Sequence, residues 1–104
     1  MPKGYWIASL DVTDPEAYAK YRALNGAAFS KYGARFLVRG GTHVVAAGVA
    51  KSRQVAIEFP DYAAAIACLE SEAYKRAVVF RDAGTVLNLV VVEGYDGPQP
   101  GGDV

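Results

Sequence analysis

Cysteine is almost absent. Cys68 is the only one in 104 residues, so no intrachain disulfide can form and no cysteine-based metal cluster can be built. A single histidine, His43, likewise leaves no histidine-rich metal site, and no metal and no cofactor are expected. Charge of either sign is not in surplus, since 11 Lys and Arg balance 11 Asp and Glu. A nucleic-acid or anionic-membrane footprint needs a basic excess on one face, so neither partner is expected. No stretch approaches the roughly 18 apolar residues that a membrane span requires. The opening "MPKGYWIASLDV" lacks the apolar run and cleavage site of a signal peptide. These absences lead to the expectation of a soluble, cytoplasmic protein. A chain without net charge also has little self-repulsion, so self-association meets little electrostatic resistance.

What is present describes one ordinary globular domain, with 52% hydrophobic and 21% charged residues. Its centre is a hairpin from Ala34 to Pro60, in which Phe36 to Arg39 and Val55 to Phe59 read as strands. His43 to Ala50 are expected to extend both strands, with the turn near Gly48. Before the hairpin, Tyr5 to Val12 reads as a strand. "TDPEAYAKY" then starts a helix, with Asp14 as cap and Pro15 and Glu16 in the first turn. A capping box from Thr13 to Glu16 would shift that cap by one residue. Tyr18, Tyr21, Leu24, Ala28, Phe29 and Tyr32 form its apolar stripe, and Gly33 closes it. A second helix starts at Pro60 and Asp61, carries Tyr62, Ile66 and Leu69, and ends at Gly84. Ser71 is a natural break into two pieces, because it can cap the second. Val86 to Glu93 is the last strand, apolar enough to be covered on both faces. Residues 95–104 read as a flexible Pro/Gly-rich tail, which leaves 1–94 as the domain.

The order strand, helix, strand, strand, helix, strand predicts an α+β fold. It is the ferredoxin-like βαββαβ arrangement, a four-stranded antiparallel sheet with two helices on one face. By alternation, Trp6, Ala8, Leu10, Phe36, Val38, Val55, Ile57 and Phe59 face the helices. Tyr5, Ile7, Ser9, Asp11, Leu37, Arg39, Ala56, Glu58, Asn88, Val90 and Val92 face the other way. That second set is too apolar for a wetted face and too polar for a plain core. A homodimer packed sheet to sheet, with a partly polar cavity inside, reconciles the two.

The segments "GYWIASLDVTDPEAYAKY", "KYGARFLVRGG", "VAIEFPDYAAAIA", "SEAYKRAVVFRDAG" and "VVVEG", in this order, resemble domain of unknown function 1330. That family of small uncharacterised proteins belongs to the dimeric α/β-barrel group. The resemblance runs from Lys3 to about Gly94 and implies a ferredoxin-like fold and a sheet-to-sheet dimer. It implies no activity. The chain departs from the family pattern at Ala34, where a second Gly is usual, and at Ala47, where a Glu is usual. It departs again at Ser71 to Tyr74, where Ser-Pro-Glu-Tyr is common.

Ligand-binding candidates are Arg39, Glu58, Arg81 and Asn25. A guanidinium at Arg39, followed by two glycines, suits a bidentate grip on a carboxylate. The competing reading pairs it with Glu58, which shares its parity. Arg81 also suits a helix C-terminus electrostatically, and Asn25 could reach a ligand lodged between helix and sheet or stay a surface amide. His43 and Glu58 are the weak catalytic candidates, the first for its ordinary pKa and the second if desolvated. The tyrosines at 18, 21, 62 and 74 read as core aromatics, and Cys68 as a buried hydrophobe. No phosphate loop and no Ser-His-Asp grouping is present. A small organic acid or aromatic is the expected ligand class. The functions left open are a cofactor-independent enzyme, a binding module and a structural dimerisation module.

Overall fold

A computed structural model describes residues 2–102. Met1 and residues 103–104, the outer ends of the expected domain and tail, lie outside the described residues. Four strands, β1 (Gly4–Val12), β2 (Arg35–Arg39), β3 (Arg53–Phe59) and β4 (Thr85–Glu93), make one antiparallel sheet in the order β2-β3-β1-β4. Three helices complete the chain: α1 (Pro15–Lys31), α2 (Tyr62–Glu70) and α3 (Glu72–Gly84). This is the α+β, ferredoxin-like arrangement that the pattern predicts. None of the helices is long and apolar enough to cross a membrane.

The caps explain where the helices begin. Asp14, not Thr13, caps α1, and its carboxylate accepts from the backbone N–H of Glu16 at 3.0 Å and of Ala17 at 3.3 Å. Asp61 does the same for α2 through Ala64 at 2.7 Å. Ser71 ends α2 and caps α3 in one residue: its hydroxyl donates to the Cys68 carbonyl at 2.7 Å and accepts from the Tyr74 N–H at 3.1 Å. The expected second helix is therefore two. Its far end, Gly84, lies on the backbone of α1, where a Cβ would meet the Tyr18 nitrogen at 2.7 Å. Thr13 and Asp14 both donate their N–H to the Gly84 carbonyl. That close approach locks α3 beside α1.

The core sits between helices and sheet. Trp6 is its hub, 2% exposed. It meets Phe29 and Tyr74 edge-on at 5.3 and 4.8 Å, and its indole N–H donates to the Ala65 carbonyl at 2.9 Å. Ala28, Phe59, Ala65, Cys68 and Ala77 fill the remainder. The helical stripes rotate slightly from expectation. Leu24 and Tyr62 are exposed, whereas Asn25 and Ala65 are buried; Cys68 is buried as expected.

The hairpin departs from expectation in two ways. Residues 40–52 form an irregular, largely exposed connection, so His43 to Ala50 extend neither strand. With Val44, Val45 and Val49 all exposed, no face of this stretch is covered, and extended pairing gains no burial. The connection is tied down at its end by Asp11, which accepts from the Ser52 N–H at 2.8 Å. That bond holds the Asp11 carboxyl below the usual carboxylate range. The second departure is a β-bulge between Phe36 and Val38, where the register shifts. One extra residue reverses the parity of everything after it. Val38 therefore pairs with Ala56 on the outer face, and Arg39 pairs with Val55 on the helix face.

Candidate functional site

Three rungs of the sheet run beneath the helices. The first is Phe36–Ile57–Trp6–Val91, the second Arg39–Val55–Ala8–Leu89 and the third Arg53–Leu10–Leu87. Aromatic rings of the core close the first rung. The second has only a methyl group at its centre, because Ala8 stands between Trp6 and Leu10 on the middle strand. Ala8 is half-buried despite that central place, since a cavity lies above it. The cavity measures about 580 Å³ between its walls, open mouth included.

Its roof is one face of α1, on which Tyr18, Tyr21, Arg22, Asn25 and Phe29 recur at helical spacing, together with Tyr74 and Arg81 from α3. The body is aromatic and aliphatic, and the charged groups are Arg22, Arg39, Arg53 and Arg81. Among the described residues no carboxylate lines it. Arg81 alone is neutralised, by Asp82 at 3.0 Å. Burial works against its charge, yet the Tyr74 hydroxyl and Asp82 outweigh this and hold its pKa above the ordinary arginine value. Among the described residues, Arg22, Arg39 and Arg53 have no carboxylate within ion-pair distance.

Arg39 lies over the Phe36 ring at 4.2 Å, a cation–π contact that orients its guanidinium. Arg53 is seated against Gly40, where a Cβ would collide with its guanidinium. Gly40 also has φ +70°, so any side chain there is strained, whereas the guanidinium is the end of a flexible chain and can shift aside. The Nε of Arg53 is buried without a hydrogen-bond partner. A buried N–H without an acceptor costs about 1–3 kcal/mol, more on a charged group. An anionic oxygen entering the cavity is the kind of group that relieves this cost.

The phenols of Tyr21 and Tyr74 are 2.9 Å apart, and Arg81 Nη1 donates to the Tyr74 oxygen at 3.4 Å. Burial, and then Tyr74, push the Tyr21 phenol well above the ordinary tyrosine range. Asn25 and Arg81 pull in the opposite sense and are outweighed. Tyr21 is thus a neutral donor at any physiological pH.

Of the sequence candidates, Arg39, Arg81 and Asn25 line this one cavity. Asn25 is 7% exposed and so is no surface amide. Glu58 lies elsewhere, on the outer face of the sheet. It accepts from the Tyr5 hydroxyl at 3.3 Å and stands 4.0 Å from Arg35. The expected pairing of Glu58 with Arg39 is replaced by one with Arg35, because the register sets Arg35 directly opposite Glu58, and the bulge further on turns Arg39 to the other face. His43 lies in the exposed connection, its Nδ1 3.3 Å from the Gly41 carbonyl, with no acid or base positioned beside it. Sequence reasoning missed Arg53, although strict alternation from Ile57 and Val55 puts it on the helix face. It also missed the cavity role of Tyr21 and Tyr74, whose stripe positions are equally those of core aromatics.

Residues 3–95 match the profile of a family described as "Domain of unknown function (DUF1330)". The chain belongs to the DUF1330 family. No curated protein matches this DUF1330 chain in sequence. Among solved structures it is similar to RPA0582, a protein of unknown function from Rhodopseudomonas palustris. Methylated RPA0582 is 19% identical, with a TM-score of 0.74 over 97% of this chain and 84% of that one. A second RPA0582 structure gives 19% and 0.73, over 92% and 85%. SnoaB from Streptomyces nogalater, a cofactor-independent oxygenase, is 11% identical, with a TM-score of 0.60 over 99% of this chain and all of that one. At these identities the likeness is one of fold.

Proposed function

We propose that this DUF1330 protein binds a small organic acid in the cavity between its sheet and helices, and does so as a homodimer. One observation carries the ligand class: among the described residues, four arginines and no carboxylate line a pocket whose body is otherwise aromatic and aliphatic. Arg39 and Arg53 receive the carboxylate, and the apolar rungs hold the rest of the molecule. The dimer uses the opposite face of the sheet. There Ile7, Val38, Val86, Val90 and Val92 stand 42–57% exposed on one surface. A second copy across a two-fold axis presents the same apolar surface, and a chain of zero net charge does not oppose it.

Calorimetric titration with small aromatic and aliphatic carboxylates, each beside its uncharged amide, tests the site. The acids are expected to bind at least about tenfold more tightly, and Arg39→Ala or Arg53→Ala to remove that margin. Equal binding of acid and amide, or none, would overturn the reading. Sedimentation velocity tests the assembly, and a monomer at micromolar concentration would exclude the dimer.

Cofactor-independent chemistry is a second reading, favoured by the phenol pair in the cavity wall and by the fold shared with an oxygenase of that kind. Mass spectrometry of a bound acid after prolonged incubation separates the two. An unchanged ligand makes the protein a binding module.

A further inference from the structure

The hydrogen bonds behind Tyr21 run in one direction, and this restricts the ligand further. Arg81 has donors only. Its Nη1 reaches the Tyr74 oxygen, so that oxygen accepts. Tyr74 is 1% exposed, and its oxygen has two hydrogen-bond partners, Arg81 and Tyr21. Its own proton must therefore go to Tyr21, because the reverse arrangement leaves a buried O–H without an acceptor. The Tyr21 oxygen is then an acceptor, from Tyr74 and in part from the neighbouring Asn25 amide, which acts on the phenol as a donor. Among the described residues its own proton has no acceptor within hydrogen-bond distance. Tyr21 is only partly buried and lines the cavity beside Ala8, Arg39 and Arg53, so that proton is turned toward whatever the cavity holds. A chain of donors ending in one free O–H is also stronger than an isolated phenol, since each bond polarises the next.

We infer that Tyr21 is an obligate hydrogen-bond donor to the ligand, and that the cavity is built for a small carboxylic acid carrying a second oxygen acceptor, a ketone or enol oxygen. This rests on the cavity being an anion site. The carboxylate goes to Arg39 and Arg53 on the sheet, and the second oxygen goes to Tyr21 under the roof. A plain acid satisfies only the arginines and leaves Tyr21 facing carbon. Sites built to donate to a ligand oxygen discriminate strongly against analogues that lack it.

The test is a titration of 2-, 3- and 4-oxo acids, each against the parent acid of the same chain length, for example 4-oxopentanoate against pentanoate. At least one oxo acid is expected to bind about tenfold or more tightly than its parent. Tyr21→Phe is expected to bring the pair within about twofold, by weakening the oxo acid more than its parent. Tyr74→Phe removes the hydroxyl that orients Tyr21 and is expected to reduce the preference without abolishing it. Equal binding of oxo and parent acids by the native protein overturns this inference and leaves the anion site standing. A Tyr21→Phe variant that weakens both acids equally does the same, because it makes Tyr21 a packing residue. Binding of no acid at all defeats the anion site and this inference with it. Should Tyr21→Phe not fold, the native comparison alone decides.

Discussion

The two faces of the sheet alternate along the same strands and end in opposite situations. On β1, Trp6 is 2% exposed and its neighbour Ile7 is 49% exposed. Toward the helices the chain supplies its own cover, and the apolar residues there settle into a ring-on-ring core. Toward the other side it supplies none, and a mixed surface carrying Ile7, Val38, Val86, Val90 and Val92 stays open. A third situation lies within the covered face, where Ala8 is too small to reach the roof. The comparison shows that hydrophobic alternation marks a face for burial without saying by what, or how completely.

The largest expected effect is on the covered face. Trp6→Ala removes the hub of the aromatic cluster and its bond to the Ala65 carbonyl. It should lose about 3–5 kcal/mol of unfolding free energy in urea, and a loss under about 1 kcal/mol would mean that the cluster is not the core. Val90→Glu probes the open face, where Val90 is 57% exposed. A carboxylate there is expected to weaken the proposed dimer at least about a hundredfold, roughly 3 kcal/mol, with the circular dichroism spectrum unchanged. An unchanged sedimentation coefficient would show that this face is not the interface.

Ala8→Leu acts between those extremes. It fills the gap in the second rung, so acid binding should fall at least tenfold, while the melting temperature shifts by only a few degrees in either direction. Unimpaired binding would place the ligand elsewhere. The smallest effect is one of pH. Burial pushes the Cys68 thiol up to about 11, and Tyr21 is raised as well. The folded state holds both protons more tightly than the unfolded chain does. The stability they contribute is therefore complete below the unfolded thiol value of roughly 8.5, and it is lost as pH rises toward the folded values. Melting temperatures should decline between about pH 9 and 11, and Cys68→Ala should flatten the start of that decline. A thiol reagent at pH 8 should label Cys68 only as fast as the protein unfolds.

The legible parts of the molecule are those that neighbours in sequence decide. Asp14, Asp61 and Ser71 set their helix starts through bonds within three residues, Pro15 helps by its fixed φ at the first helical position, and the break at Ser71 follows from the same capping chemistry. Arg39, Arg81 and Asn25 were singled out from the sequence, Arg39 on the face opposite to the one it occupies, Arg81 for its place at a helix end and Asn25 on a helix flank. Glu58 was singled out too, yet its partner is Arg35, because the strand register that sets Arg35 opposite it leaves no mark in residue type. His43 read as a titratable group near a strand, whereas the apolar residues around it find no surface to cover and the strands stop short.

By itself, then, the sequence determined the order and type of the elements, the alternation of the sheet and the zero charge balance. These depend on local hydrogen bonding and on side-chain period. Only the tertiary structure decided that Arg39 turns inward and that Arg53 joins it across the hairpin. It also decided that Tyr21 and Tyr74, 53 positions apart, share a hydrogen bond. Each of those outcomes is set by register and by which helix lies over which rung. A register displaced by one residue exchanges the faces of a strand, and no local propensity records it.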